Sequence, residues 1–150
     1  MRIARTAAAL LVLALAGCGG PLILRFQGGE KLNFNDKTPP ESLPVVVKVF
    51  LLKDKASFEA ASVEQLWTKE KYKAVLGGDL VGEPREIPIF ATKADKLDLG
   101  AVPAEVRFIG VLAMYQKKTD PPSKRHAAVP KDDADDYLFT LDEYRLEPKK

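Results

Sequence analysis

Apolar and polar positions alternate in short runs along most of this chain, a pattern that predicts strands more than helices. Leu22, Leu24 and Phe26 share one phase while Ile23, Arg25 and Gln27 take the other, which reads as a half-buried strand. Gly28-Gly29 interrupts it as a bulge, and Leu32 and Phe34 resume the phase. Asn35 to Pro44 reads as a loop, because Pro39-Pro40 excludes regular helix. Val45 to Leu52 is the strongest strand. Val45, Val47, Val49 and Leu51 form one apolar face, and only Lys48 dilutes the other, so a central position is expected. Lys53 to Leu76 changes period. Ser57 and Ser62 are candidate caps, and Ser62 with Gln65 fits a capping box. Phe58, Val63, Leu66 and Trp67 give one stripe, with Trp67 read as a core anchor. Tyr72, Val75 and Leu76 give a second that ends at Gly77. Two or three short helices follow from this.

Beyond the helices, Ile87 to Phe90 reads as a short strand placed at an edge by Pro88, and Leu97 and Leu99 suggest another. Val106 to Gln116 is a long apolar strand, Lys117 to Pro130 a polar loop, and Tyr137 to Glu147 a last strand with a phase change at Asp142-Glu143. The expected fold is all-β, a sandwich with a small helical insert after the second strand. Val47, Val49, Leu51, Phe108, Val111, Leu112 and Phe139 are its expected core. The strong strands lie far apart in the chain, so the sheets are expected to form from non-local pairs.

The first residues do not follow this alternation. Arg2 and Arg5 precede Ala7 to Ala16, an uninterrupted apolar run as long as a signal-peptide core and too short to span a bilayer. The run ends in Leu15-Ala16-Gly17-Cys18, which resembles the lipobox of bacterial lipoproteins. Residues 1–17 are therefore expected to be a leader, with Cys18 the acylated first residue of a domain spanning 18–150. Several acyl chains on one residue give a stable anchor, at about 0.8 kcal/mol per buried CH₂. Gly19 stands where an Asp would favour inner-membrane retention, so the outer membrane is the expected destination.

Composition narrows the chemistry. A chain of 150 residues with 46% hydrophobic and 29% charged content is that of one folded domain. Arg2 and Arg5 account for the whole formal charge of +2, so the mature chain is balanced and nucleic acid is not an expected partner. One Cys and one His exclude an internal disulfide and the usual zinc sites. His126 lies among Lys, Arg and Pro with no triad pattern, and is read as a solvated surface residue. Asp132, Asp133, Asp135 and Asp136 lack the turn glycine and spacing of an EF-hand and read as a solvated run. Neither Gly28-Gly29 nor Gly77-Gly78 is followed by the Lys-Ser/Thr of a phosphate loop. No catalytic residue, metal or cofactor is expected.

The order of features from Leu22 onward resembles the TssJ (VasD/SciN-like) family, the outer-membrane lipoproteins of the bacterial type VI secretion system. The resemblance rests on Leu32-Asn33 before a polar loop and on Pro44 followed by Val-Val-Val-Lys-Val-Phe-Leu-Leu-Lys-Asp. Phe58-Glu59-Ala60-Ala61, Val75 to Leu80 and Ile109 to Tyr115 carry it further. One departure stands out: the Trp-Arg pair usual after the last of these strands is replaced by Ser123-Lys124-Arg125-His126. The resemblance implies a transthyretin-like β-sandwich, a tether in the outer membrane facing the periplasm, and a structural role in binding the periplasmic C-terminal domain of TssM. It also implies that the loop between the first two strands, Asn33 to Leu43 here, contributes to the partner contact. Within it Phe34 and Leu43 are apolar anchors. Asp36, Lys37 and Glu41 form a polar rim beside Asn33 and Asn35, and Pro39-Pro40 stiffens the tip. The alternative is a lipid-anchored periplasmic module for a small ligand.

Overall fold

The computed structural model describes residues 20–116 and 124–150. Cys18 and the leader lie outside them. Eight strands build two four-stranded sheets. The first sheet contains β1 (Ile23–Gly28), β4 (Ala94–Asp98), β7 (Leu138–Asp142) and β8 (Arg145–Lys149), ordered β4-β1-β7-β8. The second contains β2 (Val45–Leu52), β3 (Arg85–Ile89), β5 (Phe108–Met114) and β6 (His126–Pro130), ordered β3-β2-β5-β6. Between β2 and β3 lie three short helices, α1 (Ala56–Ala60), α2 (Val63–Trp67) and α3 (Lys69–Leu76). The all-β sandwich with its helical insert after the second strand is the fold found. No helix among the described residues is long and apolar enough to cross a membrane.

The core follows from the period-two pattern. Leu24, Phe26, Phe139 and Leu141 of the first sheet face Val45, Val47, Val49, Ile109 and Val111 of the second, all buried. Phe26 and Phe139 stack with ring centroids 5.5 Å apart across the parallel β1–β7 pair. Each such side chain contributes roughly 1.5–3 kcal/mol by leaving water. The outer face of β2 is apolar too, because Phe50 and Leu52 pack with Leu112 under Phe58, Leu66, Tyr72 and Leu76 of the helices. Both faces of β2 are thus covered at most positions, as its near-continuous apolar run requires.

The capping box at Ser62 forms as expected, with Gln65 N donating to Ser62 Oγ at 3.1 Å and Ser62 N donating to Gln65 Oε1 at 2.8 Å. Gly77 ends α3 at φ 50°, a conformation that favours glycine. Ser57 caps nothing. It lies inside α1, and Asp54 Oδ1 accepts from Ala56 N instead.

Several expectations need correction. Leu51 and Phe108 are half-buried: both lie near the end of the β2–β5 ladder, Phe108 opposite Leu52 at the last register and Leu51 opposite Ile109 one before it. Gly28-Gly29 is the end of β1 and not a bulge; a Cβ on Gly28 would meet the Phe90 carbonyl oxygen at 2.1 Å, so only glycine lets that turn close. The Asp142-Glu143 phase change is a hairpin turn joining β7 and β8, with Glu143 at φ 49°. The stretch read as one polar loop from Lys117 to Pro130 contains strand β6, while residues 117–123 lie outside the described residues.

Candidate partner surface

The polarity of the molecule comes from strand direction. β1 begins at Ile23, five residues after Cys18, and ends at Gly28 beneath the 33–43 loop. The near end therefore carries the first described residues, Gly20 to Leu22. The far end gathers the loop, the Phe90–Lys93 turn and the Glu143-Tyr144 turn.

The base of the loop is locked. Asn33 is 1% exposed and sits at φ 48°. Its Nδ2 donates to Pro44 O at 3.3 Å and its Oδ1 accepts from Gln116 N at 3.0 Å, so one amide ties both loop ends to the chain just past β5. The Tyr144 hydroxyl donates to Phe34 O, and Ser42 Oγ donates to Glu30 O at 2.7 Å. Leu43 N donates to Leu32 O at 3.3 Å. Phe34 and Leu43 are half-buried, so both serve the closure of the far end.

Asn35 then knots the tip. Its Oδ1 accepts from Lys37 N at 3.1 Å and from Glu41 N at 3.0 Å, and its Nδ2 donates to Glu41 Oε2 at 3.3 Å. Asn35 N also donates to Glu41 O at 3.0 Å. The Lys37–Glu41 pair at 3.0 Å is more than half exposed on both sides and adds little on its own. Asp36, Lys37, Pro39, Pro40 and Glu41 stand outward on this frame. The loop is pre-organised, which lowers the ordering entropy a partner contact would cost.

A second feature adjoins the loop base. Trp67 is not the core anchor its stripe suggests, being 38% exposed. Leu66 takes the core position one residue earlier, and α2 ends at Trp67. With Val46, at 37% exposure, and Met114, Trp67 lines an open groove of about 1330 Å³ that reaches Asn33 and Pro44. Lys48 satisfies the last carbonyl of α2. The Lys48 side chain is 8% exposed, and its ammonium donates to Trp67 O at 2.8 Å, lies 3.4 Å from Glu86 Oε1, and sits 5.3 Å from the Tyr72 ring centre.

His126 is not a solvated loop residue. It opens β6, stands edge-on to Phe58 with centroids 5.4 Å apart, and has Nε2 3.4 Å from Glu59 O. Burial pushes its pKa below the ordinary imidazole value, against a smaller upward pull from the Glu59 carbonyl. Arg125, where the family's Trp-Arg pair would fall, is 5% exposed and lies 5.8 Å from the Tyr115 ring centre. Burial holds the Tyr115 phenol well above its usual range, and its hydroxyl donates to Arg145 O at 2.6 Å. The Asp132–Asp136 run forms a 3₁₀ turn with Lys150 on Asp133 at 3.1 Å. Among the described residues no group of three or more His, Cys, Asp or Glu could hold a metal ion.

The profile of the type VI secretion lipoproteins, described as VasD, EvfM and TssJ, matches residues 21–144. Among solved structures, a chain described as part of a type VI membrane complex superposes with a TM-score of 0.73 and 22% identity, covering 87% of this chain and 98% of that one. Serratia marcescens Lip, described as a membrane-bound component of the type VI secretion system, gives 0.68 and 18% identity over 87% and 98%. A chain in a structure described as the T6SS protein TssM C-terminal domain from EAEC gives 0.68 and 20% over the same shares. No curated protein sequence matches this chain.

Proposed function

The chain belongs to the type VI secretion lipoprotein family, and from that membership we propose that it is an outer-membrane anchor holding the periplasmic C-terminal domain of TssM. Cys18 is its acylated residue, and the 33–43 loop is the grip. The role is structural, not catalytic. The observation that carries this reading is the Asn35 knot. It presents Asp36, Lys37, Pro39, Pro40 and Glu41 as a fixed exposed tip at the end of the molecule away from the N-terminus. That is the geometry of a protein held at one end by lipid and engaged at the other. The presence of this fold in a structure described as the TssM C-terminal domain supports the choice of partner. Asn33 belongs to the frame beneath the contact, since its amide is spent on Pro44 and Gln116.

A small-ligand module is less well supported. The sandwich interior is filled by Phe26, Phe139 and the valines of β2, and the groove beside Trp67 is open and wider than the 300–1,000 Å³ usual for ligand pockets.

Replacing Asn35 to Ser42 by a Gly/Ser linker tests the loop. The variant should fold and reach the outer membrane but bind the TssM periplasmic domain at least tenfold more weakly. Unchanged affinity in a folded variant would remove the loop from the interface. Cys18→Ser tests the tether: labelled palmitate should enter the wild-type chain and not the variant, and the variant should leave the membrane fraction.

A further inference from the structure

The outer face of the β3-β2-β5-β6 sheet is divided by register. The rows Phe50–Gly110–Ala128 and Lys48–Leu112–His126 lie under the helices. Among the described residues no helix covers the next row, Pro88–Val46–Met114, at the far end of the molecule; Pro88 and Val46 are exposed, and Met114 is half-buried at the margin of the helical cluster. Trp67 closes one side of it, and Val46 and Trp67 are two of the few large apolar side chains more than a third exposed. A sheet face normally buries its apolar rows under a layer of helices. Here that layer stops one row short.

Three observations say what completes it. Two interstrand spacings separate Pro88 from Met114, about 10 Å, which is the width of one α-helix. The rim is also charged unequally. Glu64 is held by Lys71 at 2.6 Å and Glu59 by Lys55 at 3.2 Å, whereas the Lys124 ammonium has no partner among the described residues. Finally, the groove lies at the end away from the N-terminus and is walled by Asn33 and Pro44, the two feet of the 33–43 loop. A partner that grips the loop tip is brought beside the groove, which opens at the loop's two feet.

We infer that this shelf receives an amphipathic helix of the partner protein, its apolar ridge on Val46, Met114 and Trp67 and an acidic side chain toward Lys124. The inference rests on the reading of the loop as a partner contact and makes the site two-part: a stiff loop that orients and an apolar shelf that holds. Large aromatic side chains at the centre of a contact carry most of its energy, and a rim charge acts mainly through salt-dependent steering.

The test uses the full chain in detergent and the TssM periplasmic domain as probe. Trp67→Ala and Val46→Asp should each weaken binding roughly tenfold or more in variants that a thermal melt shows to be folded, since both side chains are more than a third exposed. Lys124→Glu should weaken it at low salt, with the difference fading as salt rises. A photo-crosslinker at position 114 should capture a helical segment of the partner. If the Gly/Ser loop variant loses affinity while the shelf variants bind like wild type, the shelf is overturned and the loop stands. If the shelf variants fail while the loop variant binds, the shelf stands and the loop falls. A wild-type chain that does not bind the domain overturns both. Crosslinks to a second copy, or to the chain's own residues 117–123, would overturn the helix as occupant.

Discussion

The seat of the helical insert depends on a missing side chain, and that makes Gly110→Ala an informative perturbation. Gly110 lies in β5 between Phe50 of β2 and Ala128 of β6. A Cβ there would stand 2.8 Å from Phe58 Cζ, 2.9 Å from Phe58 Cε2 and 3.0 Å from Leu52 Cδ1. Those distances are far inside carbon–carbon contact, so the Phe58 ring must move. It has little room, being fully buried between Phe50 at 5.4 Å and His126 at 5.4 Å. Overpacking of this kind costs about 1–3 kcal/mol. Removing a strand glycine returns about 0.5–1 kcal/mol of backbone entropy. The net expectation is a loss of about 0.5–2 kcal/mol, read as a lowered urea midpoint at unchanged m-value. The stronger test is a cycle with Phe58→Leu, which shortens the ring that the new methyl strikes. The double variant should be more stable than the sum of the singles predicts, by about 1 kcal/mol. Additive losses would mean that Phe58 does not seat over Gly110, and the account of how α1 docks on the sheet would be wrong.

Three further outcomes follow from the packing. Lys48→Met should cost about 1–2 kcal/mol, because the Trp67 carbonyl loses its buried donor, while Glu86→Gln should cost less than about 1 kcal/mol because Glu86 is 55% exposed; urea titrations of both variants check the order. Burial lowers the His126 pKa in the folded chain, so below its ordinary value of 6.5 the unfolded chain binds the extra proton first. Stability should therefore be full above that value and fall as pH drops toward the lowered folded pKa, and His126→Gln should flatten this slope in melts between neutral and mildly acidic pH. Phe26→Ala should cost about 3–5 kcal/mol, since Phe26 is fully buried against Phe139; a loss under about 1 kcal/mol would contradict the stacked core.

Much of the architecture was readable from local pattern, and the failures have particular causes. The two faces of β2 could be told apart in the sequence, and so could the capping box at Ser62 and the edge role of Pro88. The sequence could not say that Lys48 would be buried, because its partners are the end of a helix and a residue of another strand, both distant in sequence. β6 hid in a polar stretch: His126-Ala127-Ala128 has weak strand propensity and forms only because β5 offers a ladder. The β7–β8 turn lacked the Asn-Gly or Asp-Gly signal and instead places Glu143 at positive φ. The size of Trp67 does not bury it, because Leu66 one position away fills the core. The loop was legible as a loop, but its knot was not. Asn35 reads as any turn residue until its amide is seen to hold Lys37 and Glu41 together.

The placement of β1 inside its sheet has a mechanical consequence. β1 runs antiparallel to β4 on one side and parallel to β7 on the other, and its two ends lead to the N-terminus and to the 33–43 loop. Tension applied between those ends acts along the strand axis. The ladder bonds run across that axis, so the load falls on both rows in shear, shared among many bonds at once and not taken one by one as in an unzipping edge strand. A chain built this way resists extension between its two attachment points more than its thermodynamic stability alone would suggest. Yielding would begin in the part of the loaded path that no ladder holds on two sides, the turn between β1 and the loop, and leave the central strand in place.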